Sequence, residues 1–168
     1  MKKVSKILTG LLCVTLLMTG LCGCGKKEAP EAKVDMSKLK EAMMAADDSL
    51  PEMKSIDSSQ EDAEELFSSL SDADYDKVQD YFFCYAAEGT ASEFAVVFVK
   101  DAEDVPEMEK SLRDHIESRI LTYQNYSPEL VETAEKALVF SNGNYVAYVM
   151  HESPSYIKAS FEKMMDAD

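Results

Sequence analysis

Apolar residues recur at helical spacing in the part of the chain that follows residue 35. A four-residue stripe predicts a helix over residues 36–46, which ends at Leu50-Pro51. A second helix is expected near residues 59–70, where Ser58 and Glu61 have the spacing of a capping box. The two apolar stripes consist of Met36, Leu39, Met43 and Ala46, and of Ala63, Leu66, Phe67 and Leu70.

The pattern then changes to one that is typical of strands. Residues 78–87 and 93–100 are rich in aromatic and β-branched side chains, and the polar segment 88–92 between them contains Gly89. Two such runs separated by a short turn predict a β-hairpin.

A long helix, a short helix, a second hairpin and a final helix follow. Asp104, with Glu107 three residues later, is expected to cap the long helix, and Ser127-Pro128 begins the short one. Asn142-Gly143 is a strong hairpin signal and predicts that Phe140 lies opposite Tyr145 and Val139 opposite Val146. After Ser153-Pro154, the inward side of the final helix is expected to carry Ile157, Phe161 and Met164.

This element order predicts an α+β domain. Its four-stranded, mainly antiparallel sheet is formed by the two hairpins and packs against the long central helix and the flanking helices. Because both hairpins carry bulky residues on both sides, we expect either that helices cover both faces of the sheet or that one face meets a partner.

The N-terminus has the layout of an export signal. Lys2, Lys3 and Lys6 precede a mostly apolar run from Ile7 to Leu21, which is shorter than the ~20 residues that span a bilayer comfortably. The segment Leu21-Cys22-Gly23-Cys24 then resembles the bacterial lipobox. That resemblance implies cleavage before Cys24 and a diacylglycerol on its thiol, and two acyl chains hold a protein firmly at a membrane.

The expected organisation is therefore a lipoprotein signal peptide over residues 1–24, a flexible tether over 25–35 and one α+β domain over 36–168. Cleavage removes three lysines and no acid, so the formal net charge changes from −15 to −18. Such an acidic chain is not expected to bind nucleic acid, whose phosphates require a basic surface. We expect it to be exported and held by its lipid at the outer face of the cytoplasmic membrane.

From about Leu70 to Met165 the chain resembles a family of bacterial, largely Gram-positive, lipoproteins known as domain of unknown function 4358. The resemblance is carried by four segments: residues 91–97, the long helix with Arg119, Tyr123-x-x-Tyr126-x-Pro128-Glu129, and residues 143–146. It implies a secreted, membrane-tethered α+β domain and no known catalytic residue.

The residues that could carry chemistry are few. Once Cys13 and Cys22 leave and Cys24 is acylated, Cys84 is the single free thiol, and its aromatic strand predicts a buried, inert group. His115 and His151 have no metal-ligand spacing. The acidic segment 72–76 lacks the glycine and glutamate of a calcium loop, and Met36 and Met43 fall on a core stripe, so we expect no metal and no cofactor.

The tyrosines around the second hairpin, Tyr123, Tyr126, Tyr145 and Tyr148, form the candidate binding patch, because a tyrosine ring has an apolar body and a polar tip. The sequence favours a non-catalytic binding or structural module with an unidentified protein or small-molecule partner. The alternative is a small cell-envelope hydrolase, which would require a histidine beside a carboxylate and either Cys84 or a serine in one cleft.

Overall fold

The central sheet has five strands, all antiparallel to their neighbours, in the order β1-β2-β3-β5-β4. The computed structural model describes residues 34–167. Its strands are β1 Met53–Asp57, β2 Val78–Ala86, β3 Glu93–Val99, β4 Leu138–Asn142 and β5 Tyr145–Met150. The predicted signal peptide, Cys24 and most of the tether lie outside the described residues.

Five α-helices and three short 3₁₀ turns connect the strands in this part of the chain. The helices are α1 Met36–Met44, α2 Ala63–Phe67, α3 Val105–Tyr126, α4 Val131–Glu135 and α5 Pro154–Asp166. The 3₁₀ turns are Tyr75–Lys77, Ala102–Asp104 and Pro128–Leu130. The predicted α+β class, the antiparallel sheet and the long central helix are confirmed.

Helices cover both faces of the sheet. One apolar cluster lies between the sheet and α2, α3 and α4, and the other lies between the sheet and α1 and α5. Every residue of β3 and β5 is buried, which explains why these strands carry bulky side chains on both sides. Each fully buried large apolar side chain contributes about 1.5–3 kcal/mol, so the two central strands anchor both layers.

The prediction of four strands was wrong, because β1 pairs with the outer edge of β2 as a fifth strand. Ile56 is the one buried residue of this strand, whose sequence is Met-Lys-Ser-Ile-Asp. An edge strand that is largely exposed does not need an alternating apolar pattern, so the sequence offers little periodicity here.

The predicted register of the second hairpin was also wrong. Asn142 lies opposite Tyr145 and Phe140 opposite Ala147, so Gly143 and Asn144 form the turn. Gly143 adopts the positive φ of 55° that glycine tolerates. The Asn144 side chain donates to the carbonyl oxygen of Val99 at 3.0 Å, which ties the turn to the end of β3.

The two predicted helix caps are not formed. The Ser58 hydroxyl donates to the carboxylate of Asp80, and α2 begins only at Ala63. The Asp104 carboxylate lies 3.2 Å from Lys77 Nζ, where it forms an ion pair. In α5, Met165 is the fully buried methionine, whereas Met164 is partly buried.

Cys84 is buried, as predicted. It lies on β2 in the cluster under α1 and α5, and burial raises the pKa of its thiol to about 12. Because the thiolate is the nucleophile, burial and the raised pKa both disfavour reaction of this cysteine in the folded protein. Met36 and Met43 belong to the same core cluster, as their helical spacing predicted.

Candidate functional site

The side chain of Glu93 is buried at the start of β3. It is 2 % exposed, and it extends to the sheet face that α3 covers. A buried carboxylate is costly unless positive charge and hydrogen-bond donors surround it. The groups around Glu93 therefore determine how this part of the domain is built.

Helix α3 supplies two of these groups from positions that are one turn apart. His115 Nε2 lies 3.0 Å from Glu93 Oε1, and Arg119 Nε lies 3.3 Å from Glu93 Oε2. Residues four apart lie on the same face of a helix, so both side chains reach the same carboxylate. Arg119 brings the positive charge that compensates Glu93.

A tyrosine of β5 completes the surroundings of the carboxylate. Tyr148 OH donates to Glu93 Oε1 at 3.2 Å and lies 3.2 Å from His115 Nε2. Burial, together with the charge of Glu93, raises the pKa of Tyr148 well above its usual value. The phenol therefore stays protonated and acts as a donor. We refer to Glu93, His115, Arg119 and Tyr148 as the Glu93 cluster.

Arg119 extends from the Glu93 cluster toward the surface. Its Nη2 donates to Tyr123 OH at 2.6 Å, and its guanidinium carbon lies 4.9 Å from the centre of the Tyr123 ring. The Nε atom is close to Glu93 but is not oriented to form a hydrogen bond with any described residue. With 37 % of its side chain exposed, Arg119 connects the buried carboxylate to solvent.

A cavity of about 340 Å³ opens beside the Glu93 cluster. The sheet contributes Ile56, Phe83 and Tyr85 to its lining. The remaining walls are formed by α2, by the turn that follows α2, and by α3. We call it the α2–α3 pocket. Its lining residues are Ile56, Leu66, Ser69, Phe83, Tyr85, Glu93, His115 and Arg119. An apolar cavity with a few convergent polar groups is the usual form of a small-molecule site.

The second histidine has a serine and a carboxylate on opposite sides of its ring. His151 Nδ1 lies 2.9 Å from Ser92 Oγ, and its Nε2 lies 3.2 Å from Ser49 Oγ and 3.4 Å from Asp47 Oδ2. Hydrogen bonds from the Ser49 side chain and backbone lower the pKa of Asp47. We refer to these four residues as the His151 cluster, and a cavity of about 220 Å³ borders it.

Ser92 and Glu93 are consecutive, yet each contacts a different histidine. Side chains of successive residues in an extended segment point to opposite faces of a sheet. Glu93 therefore meets His115 beneath α3, whereas Ser92 meets His151 near the segment that follows α1. One dipeptide thus contributes to both clusters.

A family model described as Domain of unknown function (DUF4358) matches residues 44–151. The chain belongs to this family. The match overlaps the range of about 70–165 that the sequence resemblance indicated, but it starts and ends earlier in the chain. No curated protein and no solved structure gave a match. The family description names no activity, so any statement about function depends on the geometry of the two clusters.

The segments that carry the family resemblance contribute to both clusters. Residues 91–97 contain Ser92 and Glu93, and the long helix contains Arg119. The third segment contains Tyr123, which binds the Arg119 guanidinium. The sequence patterns alone did not indicate Glu93, Arg119 or Ser92 as site residues. The sequence feature that could have indicated this site is a glutamate at the start of a strand that is otherwise apolar.

The structure does not bring the four candidate tyrosines together on one surface. Tyr148 belongs to the Glu93 cluster, and Tyr123 adjoins it through Arg119. Tyr145 is on the other face of the sheet, where it stacks on Phe98 with ring centres 4.5 Å apart and accepts a hydrogen bond from the Val34 amide. Tyr126 is 84 % exposed at the end of α3.

Within residues 34–167, no group of three histidine, cysteine or acidic side chains is arranged to hold a metal ion. The acidic segment 72–76 is a capped turn, in which the Asp74 carboxylate accepts from the Asp76 amide at 2.9 Å. The helices of this part of the chain are also too short or too polar to cross a membrane.

Proposed function

We propose that this protein is an exported lipoprotein, anchored through Cys24 to the outer face of the cytoplasmic membrane, whose domain binds a small molecule without transforming it. The lipobox sequence supports the anchor. The α2–α3 pocket supports the binding role, because it combines apolar surface with the buried charges of Glu93 and Arg119. This pocket is the observation that carries the proposal.

The Glu93 cluster has the character of a binding site. Its carboxylate accepts from Tyr148 and is paired with His115 and Arg119, so it is already compensated before any ligand arrives. Nothing described beside it supplies an activated nucleophile, because the Cys84 thiol is buried on the opposite face of the sheet. Such a fixed arrangement favours recognition over reaction.

The proposed lipid anchor predicts the mass of the mature protein and the cell fraction in which it is found. The full chain expressed in a Gram-positive host should fractionate with membranes and should carry a diacylglyceryl group on Cys24 as its first residue. Cys24→Ser should remove the lipid and release the protein from the membrane fraction. An unmodified thiol at residue 24, or an intact leader on the wild-type protein, would contradict the anchor.

The binding role predicts that filling the pocket abolishes binding. In a thermal-shift screen of small organic molecules, compounds that raise the melting temperature of the full chain should lose this effect in Ser69→Trp. Ser69 is exposed and lines the pocket, so an indole there occupies it.

Ser68→Trp is the matched control, because Ser68 is also exposed but does not line the α2–α3 pocket. This variant should keep the ligand-induced shifts. If Ser69→Trp retained every shift, the ligands would bind elsewhere and the proposal would fail.

A hydrolase is the second candidate, and the His151 cluster favours it. Ser92 Oγ is 2.9 Å from His151 Nδ1, and Asp47 lies beside the other ring nitrogen. In such an arrangement the imidazole takes the serine proton while the carboxylate orients the ring. The low exposure of Ser92 opposes this role. Ser92 is only 4 % exposed, and it is less accessible than the carboxylate of Asp47, which is 12 % exposed.

A fluorophosphonate probe, which labels activated serines covalently, separates the two candidates. We expect no labelling of the folded full chain, because the serine hydroxyl is enclosed. Labelling that disappears in Ser92→Ala but persists in Ser49→Ala would instead establish the hydrolase.

A further inference from the structure

The guanidinium of Arg119 has an edge that no described residue uses. Arginine carries five N–H donors in a planar fork. Tyr123 OH accepts from Nη2, and Glu93 Oε2 lies 3.3 Å from Nε. Nη1 makes no hydrogen bond to a residue between 34 and 167. A free pair of parallel N–H groups matches the geometry of a carboxylate.

The partners of Arg119 also restrict its movement. The Tyr123 ring lies against the guanidinium, and Glu93 lies behind it at 3.3 Å. A side chain that is already fixed loses little rotamer entropy when a ligand binds. The guanidinium of Arg119, which is one of the residues that line the α2–α3 pocket, is therefore preorganised.

The rest of the pocket suits an apolar body. Phe83 and Tyr85 have ring centres 5.4 Å apart on β2, and Ile56 and Leu66 are further lining residues. A cavity of about 340 Å³ is at the lower end of the usual range for small-molecule sites. A ligand with one aromatic or branched apolar group would fill it.

The buried carboxylate does not make this a site for cations. Glu93 is 2 % exposed, and both of its oxygens face partners: His115 and Tyr148 at Oε1, and Arg119 at Oε2. An amine in the pocket would be repelled by the positive charge of Arg119, which also lines it. The accessible charge of the pocket is therefore positive, although the domain as a whole is acidic.

We propose that the α2–α3 pocket binds a small organic monocarboxylate, with its carboxylate on the open edge of Arg119 and its apolar body against Phe83 and Tyr85. This assignment rests on the proposed function, since it names the ligand class of the same pocket.

Three probes of the same shape test the charge of the ligand: phenylacetate, phenylacetamide and phenethylamine. Each is titrated into the full chain and followed by two-dimensional NMR of backbone amides and the arginine Nε–H group. We expect phenylacetate to bind with a dissociation constant of about 1 mM, as suits a fragment of this size. The neutral amide should bind about tenfold more weakly and the amine should not bind, because each loses the charge-assisted bond to Arg119.

Two variants, Arg119→Lys and Arg113→Lys, test which arginine contacts the carboxylate of the ligand. Lysine keeps the positive charge beside Glu93 but loses the planar fork, so the first variant should weaken phenylacetate binding about tenfold. Arg113, on the same helix, is 55 % exposed and pairs with Glu109 at 3.2 Å outside the pocket. Its substitution should leave the affinity unchanged.

The outcomes distinguish this proposal from the general binding role. Equal affinity for the acid and the amide, or unchanged phenylacetate binding in Arg119→Lys, would overturn the carboxylate assignment. If ligand-induced thermal shifts were still lost in Ser69→Trp, the pocket would remain a binding site of another class. Absence of any response to all three probes would likewise overturn the carboxylate assignment.

Discussion

The carboxylate of Glu93 lies beneath helix α3, and the rest of the domain has to compensate its buried negative charge. The residue enters the sheet on β3, between β2 and β5, with almost no access to water. Removing the partner of a buried charge is strongly destabilising, because the charge is then left uncompensated. The positions of His115 and Arg119 therefore fix the rotation of α3 on the sheet, so that one helical turn presents both groups to the carboxylate.

The pocket follows from this packing. Helix α3 is held over β3 and β5 by the Glu93 cluster, while the five-residue α2 packs on β1 at the sheet edge. Phe83, which is buried, and Tyr85, which is partly exposed, line the space between the two helices. The interaction that stabilises the helix on the sheet thus also places a cationic group beside an apolar surface, and recognition follows from that combination.

The sequence predicted the elements whose side chains repeat with a clear period. Both hairpins and the long helix have such patterns, and the turn signal near Asn142 was present. It did not predict β1, in which only Ile56 is buried, or the hairpin register, in which Gly143 and Asn144 form the turn. The Glu93 cluster was not predictable either, because His115 and Tyr148 are 22 and 55 positions from Glu93 and no local pattern links them.

A double-mutant cycle between Glu93 and Arg119 tests most directly whether this ion pair holds α3 to the sheet. Glu93→Leu, Arg119→Leu and the double variant are compared with the wild type by urea unfolding of the full chain. The account predicts a coupling free energy of about 1–3 kcal/mol, with the double variant less destabilised than the sum of the two single effects. Additive effects, with a coupling below about 0.5 kcal/mol, would show that the two residues are independent and would contradict the account.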